Sequence, residues 1–435
     1  MTPEQFSRRS LFAAALAVGS VAVVGCSSLS PSQPLLDPRG LLAGKLWRLD
    51  HSGLGRADYS GPGARPAGTV QLLMEPGGPR PRISLPRTSP VDMTSNSLKL
   101  WFFIPQGDLG LREINVQVGS GSAAFDAFTY QSVQLMDTPN VYGAEYIKPG
   151  AWTSITVGPA SFASGGAGRV DFTRVQDFLI EAAAFPNHSA ELLFGGMEIF
   201  ENAPVFRKGV VSLAFDDGLA SAYDLGRDIL SARSASATLY LIHDLIGQRG
   251  YLTPSQVSEL VELGWEIGGH ANTAEVHNAP GGFTSVSDAA LIQDWSSESS
   301  WLRQLSLDVR HLAYPQGVFD ERVLDLVRKK SPYLTARTLN YRSIETLPPA
   351  DPLRLRTIYY DSDTALGSVD QIGTIAWRLR EIARNGGWLI LTFHDIVGSN
   401  PTGTQIGTDV LTSTLDAIAE QSLEILPVGK VWNEI

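Results

Sequence analysis

The apolar residues of this 435-residue chain change their spacing near residue 206, and that change constrains the fold more than any other feature. Upstream, from about Leu46 to Pro204, they come in short alternating runs at 69–74, 98–103, 114–118, 154–157, 178–182 and 192–194. Gly, Pro, Asn and Ser clusters separate the runs, and no long segment has a 3.6-residue period. Such alternation sets one face of each strand against a core, so residues 46–204 are predicted to form an all-β sandwich. Downstream of Lys208, apolar strands alternate with amphipathic helical segments, as in a parallel sheet covered by helices. Strands are expected at 210–215, 237–242, 265–268, 311–314, 334–339, 353–359 and 388–393. Helices are expected at 254–263, 288–305, 321–329, 369–383 and 410–421. Residues 206–435 are therefore read as an α/β domain, an incomplete (β/α) barrel one unit short of eight.

Composition narrows the partners. With 43% hydrophobic and 18% charged residues there is ample material for packed interiors. A formal charge of -11 argues against a nucleic-acid backbone as the main partner. Cys26 is the only cysteine, which excludes an intramolecular disulfide.

The N-terminus reads as an address. Ser7-Arg8-Arg9-Ser10-Leu11-Phe12 is a twin-arginine run, followed by an apolar stretch over 11–24 and then Val23-Val24-Gly25-Cys26. That stretch is short for a bilayer span, which needs about 20 residues. The small residue before Cys26 and the Ser-rich, Pro-containing segment after it resemble a bacterial lipoprotein signal. The expectation is cleavage after residue 25, lipidation of Cys26, a tether over 26–45, and a lipid-anchored protein in the bacterial cell envelope, exported by the twin-arginine route. In the sandwich, the runs at 178–180 and 194–200 resemble the closing strands of jelly-roll modules. Trp47, Trp101, Tyr130, Tyr142, Tyr146 and Trp152 are candidates for stacking on sugar rings, although sandwich aromatics usually serve the core.

Chemistry in a parallel barrel sits where strands end, and there the ionisable residues collect. The first strand runs into Asp216-Asp217-Gly218, the third into His270 with His277 soon after, and the last into His394-Asp395. Adjacent carboxylates at the end of a buried strand repel and are costly to desolvate. A divalent cation or a proton resolves the conflict. One Asp with two His is a three-ligand set that leaves a position open for water, and the other Asp is then free as a base.

Four ordered motifs carry a family resemblance. Val211-Ser212-Leu213-Ala214-Phe215-Asp216-Asp217-Gly218, Gly264-Trp265-Glu266-Ile267-Gly268-Gly269-His270, Ala313-Tyr314-Pro315-Gln316-Gly317 and Leu391-Thr392-Phe393-His394-Asp395 resemble those of polysaccharide deacetylases, carbohydrate esterase family 4, the NodB-homology domain. The resemblance covers about 206–435. It implies hydrolysis of an N-acetyl group on an amino-sugar polysaccharide, with a divalent metal, zinc first among candidates. By the same resemblance Asp216 is the general base, Asp217 and His270 are metal ligands, and His394 is the general acid. Tyr314, Pro315 and Gln316 would shape the oxyanion and substrate pocket. Pro315 has no N–H, so Gln316 is the backbone donor.

Three departures from the family pattern qualify these roles. The second motif usually sets its histidines four apart, whereas His270 and His277 are seven apart, about 10.5 Å along a straight helix. Either 271–276 bends, or Asn272 or Glu275 ligates instead of His277. Ala313 stands where many members have an Arg paired with the base, and Arg337, Arg354 and Arg356 are the possible substitutes. Gln316 replaces the usual aromatic. The carboxylate that tunes His394 is Asp361 or Asp363, and spacing does not decide. Two other readings remain: a polysaccharide-binding lipoprotein with little turnover, and an O-acetyl esterase of the xylan type using the same residues.

Overall fold

A computed structural model describes residues 41–43, 48–50, 55–56, 69–85, 89–105, 110–120, 130–135, 147–164, 169–304, 307, 309–339, 344–362 and 372–435. The twin-arginine segment, Cys26, Trp47, Tyr142, Tyr146 and Asp363 lie outside them. Among the described residues no helix is long and apolar enough to cross a membrane.

The N-terminal part consists of two antiparallel sheets. One runs in the order Gly55–Arg56, Val70–Met74, Ala190–Glu201, Asn96–Phe103, Trp152–Val157, with Leu41–Ala43 also paired to Ala190–Glu201. The chain thus enters this sheet a few residues before the expected boundary at 46. The other sheet runs Ala163–Ser164, Tyr130–Gln134, Leu111–Gly119, Asp177–Ala184, Arg82–Leu85, Arg48–Asp50. Alternation works as the sequence pattern demands: Leu98, Leu100 and Phe102 point into the core, whereas Lys99, Trp101 and Phe103 are half-buried on the other face. Residues of both sheets, among them Leu72, Ile114, Ile155, Ile180 and Phe194, share one apolar core.

The C-terminal part is a parallel sheet in the order Thr335–Arg337, His311–Ala313, Glu266–Gly269, Thr238–Leu241, Val210–Phe215, Trp388–Phe393, Ile358–Tyr359. Glu424–Ile425 adds a short strand beside Val210–Phe215. The sheet curls: Leu355, three residues before Ile358–Tyr359 at one edge, bridges Arg337 at the other. Val210–Phe215 and Trp388–Phe393 are buried along their whole length, which explains their unbroken apolar sequences. The one polar residue of the first strand, Ser212, accepts from Trp388 Nε1 (2.9 Å) and donates to the Leu426 carbonyl (2.7 Å).

Helices lie where their signals predict. Thr253 and Gln256 form a capping box, with Pro254 as the first residue of the Pro254–Glu262 helix. Asp320 caps Glu321–Lys330, whose last turn carries Arg328, Lys329 and Lys330 at the negative end of the helix dipole. The Val323, Leu324, Leu326 and Val327 stripe buries its inner face.

Residues 34–435 form one compact unit, so the sheet pair and the barrel share an interface. On the barrel side lies a fully buried ion pair, Arg356 Nη2 to Glu345 Oε1 at 2.5 Å, and Thr156 of the antiparallel sheet is 3.5 Å from the same oxygen. Arg169 reaches Glu381 at 2.9 Å, and the Lys148 ammonium lies 4.9 Å from the Phe319 ring centroid. A cavity of about 330 Å³ also lies between the two parts, lined by Ser97, Asn202, Phe206, Thr346 and Gly387. It sits where the Val210–Phe215 and Trp388–Phe393 strands begin, at the end opposite Asp216 and His394.

Candidate active site

The first strand delivers Asp216 and Asp217 to different surroundings. Asp217 has φ 67° and the following Gly218 has φ 74°, so the chain turns sharply as it leaves the strand. This turn keeps the two side chains from sharing one environment. Asp216 is buried, with Oδ1 against the Arg337 guanidinium. Its Oδ2 lies 3.7 Å from His394 Nε2 and 3.9 Å from His270 Nε2. Burial opposes its charge, but Arg337, with His270 and His394, outweighs burial and holds the carboxyl below its ordinary range.

Asp217 Oδ1 faces the two imidazoles, 3.6 Å from His270 Nε2 and 3.4 Å from His277 Nε2. It is buried and has no hydrogen-bond partner among the described residues. Burial, with the nearby Asp216 charge adding to it, pushes its pKa up against the opposing pull of His394 and His277. Both histidines are turned the right way for ligation. His270 Nδ1 donates to the Ala313 carbonyl (2.8 Å) and His277 Nδ1 to Asn278 Oδ1 (3.0 Å), leaving each Nε2 lone pair toward Asp217. Burial, then the neighbouring His277, lowers His270 to about 3, so it is neutral at pH 7.

These three residues fit a tetrahedral cation. Donors held at about 2.0–2.1 Å around zinc stand about 3.3–3.4 Å apart, close to the separations from Asp217 Oδ1. One donor atom from each residue lies within 4.8 Å of the others. A buried carboxylate oxygen with no hydrogen-bond partner among the described residues, aimed between two imidazole nitrogens, is costly unless a cation completes it.

The seven-residue spacing is absorbed by a bend. Ala271 has φ 118°, residues 270–273 leave the strand as a loop, and Ala274–His277 make one helical turn. That turn sets the His277 ring 4.5 Å from the His270 ring, centroid to centroid. The reserve ligands are elsewhere: Asn272 Oδ1 accepts from His243 Nδ1 (2.7 Å), and Glu275 is exposed.

Arg337 pairs with Asp216, reaching it from the strand beside that of Ala313. Arg354 and Arg356 point toward the antiparallel sheet instead, to the Ser154 carbonyl and to the Thr156 hydroxyl, and Arg356 also pairs with Glu345. Tyr314 is buried, with its hydroxyl donating to the Leu353 carbonyl (3.0 Å) and its ring stacked on Phe319 at 5.5 Å. It acts as a wall rather than as an exposed group. Gln316 has φ 58°, and its side chain reaches the Ala279 carbonyl at 3.3 Å. Pro315 packs under the 279–282 turn, where a Cβ on Gly282 would come within 2.7 Å of its carbonyl oxygen.

For His394 the expected partner is Asp361 or Asp363, of which only Asp361 is described. The His394 Nδ1 is buried without a hydrogen-bond partner among the described residues, so Asp361 does not hold it directly. Tyr359 lies between them: its ring meets the imidazole edge-on at 5.0 Å, and its hydroxyl is bonded to Asp361. Tyr359 was not foreseen in the sequence, where it reads as one more apolar strand residue. Burial, followed by Asp361, raises its phenol above the ordinary value.

No curated protein matches the chain. Among solved structures, a Streptococcus pyogenes deacetylase, PplD, in complex with acetate is 24% identical with a TM-score of 0.30, covering 34% of this chain and 63% of its own. The chain therefore spans under two thirds of that protein. The Xyl-CE4 domain of a multidomain xylanase from the hindgut metagenome of Trinervitermes trinervoides is 18% identical with a TM-score of 0.37, covering 52% and 91%. A family 4 carbohydrate esterase from Bacillus anthracis is 17% identical with a TM-score of 0.34, covering 53% and 85%. The family model for polysaccharide deacetylase matches residues 204–331, which include Asp216, Asp217, His270 and His277 and stop short of Arg337 and His394. The similarity to polysaccharide deacetylases therefore rests on residues 204–331, which begin just before the first barrel strand.

Proposed function

We propose that the protein removes N-acetyl groups from an amino-sugar polysaccharide with the help of a divalent metal, zinc first among candidates. The observation that carries the reading is the buried Asp217 Oδ1, without a hydrogen-bond partner among the described residues, facing His270 and His277 beside Asp216. Asp217, His270 and His277 would hold the cation, which when bound polarises an acyl oxygen and makes water more acidic. Asp216, kept ionised by Arg337, accepts the proton of the attacking water. His394, on the far side of Asp216 Oδ2, returns a proton to the amine nitrogen, without which the leaving group is poor. The backbone N–H of Gln316 remains the candidate donor to the oxyanion. Acetate release from N-acetylglucosamine oligomers, from peptidoglycan and from acetylxylan, with and without chelator, tests the reading. Release only from acetylxylan favours the O-acetyl esterase.

The same reading places the chain in the cell envelope. Lipidation at Cys26 after twin-arginine export would tether the barrel to a membrane, with the antiparallel sheets as a surface for the polymer. Palmitate labelling of wild type against Cys26→Ala tests this. A second reading, a polysaccharide-binding protein with little turnover, is favoured by one observation: among the described residues no carboxylate accepts from His394 Nδ1. Tight glycan binding with no acetate released would establish that alternative.

A further inference from the structure

Three carboxylates outside the reacting cluster grip the backbone between the two histidines. Glu298 Oε1 accepts at 3.2 Å from the His270 N–H, which it shares with the Leu241 carbonyl (3.0 Å), and the Glu298 carboxyl also accepts from the Ala271 N–H. Asp294 Oδ2 accepts from the Asn272 N–H at 2.8 Å, while its Oδ1 takes the Thr273 hydroxyl at 3.4 Å. Asp244 accepts from the Ala274 N–H at 2.9 Å. Five consecutive residues, 270–274, thus turn polar hydrogens toward acidic side chains from two other elements.

The arrangement is built in. Asp294 and Glu298 are four apart on the Asp288–Gln304 helix, hence on one face, and both are buried. The second Glu298 oxygen takes the Tyr333 hydroxyl. Gly269 lets the helix come close, since a Cβ there would lie 2.5 Å from Glu298 Oε2. Consecutive N–H groups facing one way form an anion-binding concavity. Here the chain fills it with its own carboxylates, and Ala271 adopts φ 118° inside that grip.

We infer that Asp294 and Glu298 are positioning residues for the candidate metal pair. They hold the 270–273 bend that brings two histidines seven residues apart onto one cation. This rests on the metal reading above. Ordinary supporting partners of metal-bound histidines change affinity about 10–100-fold when removed, and these two act through the backbone instead of the ring.

The test is zinc affinity by competition with a chromogenic chelator, together with the Co²⁺ absorption spectrum, on the full chain. Glu298→Ala and Asp294→Ala should each weaken zinc binding about 10-fold or more and shift the Co²⁺ bands. Glu298→Gln should retain affinity within a few-fold, because its amide can still accept from 270 and 271 and donate to Tyr333. If the alanine variants do not fold, Asp294→Asn carries the test: it keeps the volume but sets an NH₂ against donors, so affinity should fall several-fold. A merely structural role lowers the melting temperature of the metal-free protein and leaves zinc affinity unchanged, and that result overturns the inference. Failure of the wild type to bind zinc would instead remove the metal reading itself.

Discussion

Arg337 is paired through one guanidinium nitrogen with Asp216, 121 residues away in sequence, and both side chains are almost wholly buried. Its remaining nitrogens, Nε and Nη1, have no hydrogen-bond partner among the described residues, and the Tyr240 ring lies 4.8 Å from the guanidinium carbon. The cation is therefore committed to the carboxylate. Without it, burial would dominate and the Asp216 pKa would rise. Arg337→Met should move the acid limb of the pH–rate profile to higher pH, because a base with a raised pKa is protonated over more of the range. An acid limb unchanged from wild type would show that Arg337 does not tune Asp216. Removing one partner of a buried pair also costs about 3–5 kcal/mol, so urea denaturation of the variant should show a matching loss.

Replacing the proposed base separates chemistry from folding. Asp216→Asn removes the proton acceptor but keeps the shape, and acetate release should fall about 100-fold or more, the usual worth of a general base. Circular dichroism should stay that of the wild type. Undiminished release would assign the base elsewhere.

The bend after His270 predicts which side chain completes the cluster. His277→Ala should lose zinc more severely than a supporting partner would, by well over about 100-fold, whereas Glu275→Ala should bind as wild type because Glu275 is exposed and apart from the cluster. Equilibrium dialysis with zinc decides between them. Equal affinities in the two variants would return His277 to the status of a loop histidine.

His311 sets an acid limit on stability away from the cluster. It is buried, with Nδ1 bonded to Thr335 Oγ1 (2.9 Å) and Nε2 3.4 Å from Glu266, and burial lowers its pKa from the ordinary 6.5 despite that carboxylate. A histidine whose folded pKa is depressed takes up its proton more readily when unfolded. Its contribution is therefore complete above pH 6.5 and is lost as pH falls below it. Melting temperatures measured from pH 8 to 5 should decline more steeply for wild type than for His311→Gln, and parallel curves would refute this assignment.

At the junction with the antiparallel sheets the barrel holds a buried ion pair, Arg356 with Glu345, that also meets Thr156. Arg356→Ala leaves Glu345 fully buried without its cation, which should cost about 3–5 kcal/mol. Differential scanning calorimetry should show the single transition of a coupled unit shift down or split in two. A melting curve identical to wild type would mean that the interface does not depend on the pair.

Much of this was legible in the chain itself. Hydrophobic period separates the antiparallel part from the parallel one because side-chain direction repeats every two residues in a strand and every 3.6 in a helix. Adjacent carboxylates at a strand end announce a site because their repulsion needs relief. By contrast, spacing along the chain says little about where a side chain goes once the backbone bends. The positions of His277, Arg337 and Tyr359 depend on a φ of 118° at Ala271, on strand neighbours distant in sequence, and on an edge-on ring contact.

Sequence alone determined which residue types reach the strand ends, and in what order, since local periodicity and turn residues encode that directly. Only the tertiary structure decided which of them meet. Pairing across a curled sheet joins residues more than a hundred positions apart, and the carboxylates that shape the 270–273 bend come from elements that no local pattern links to it.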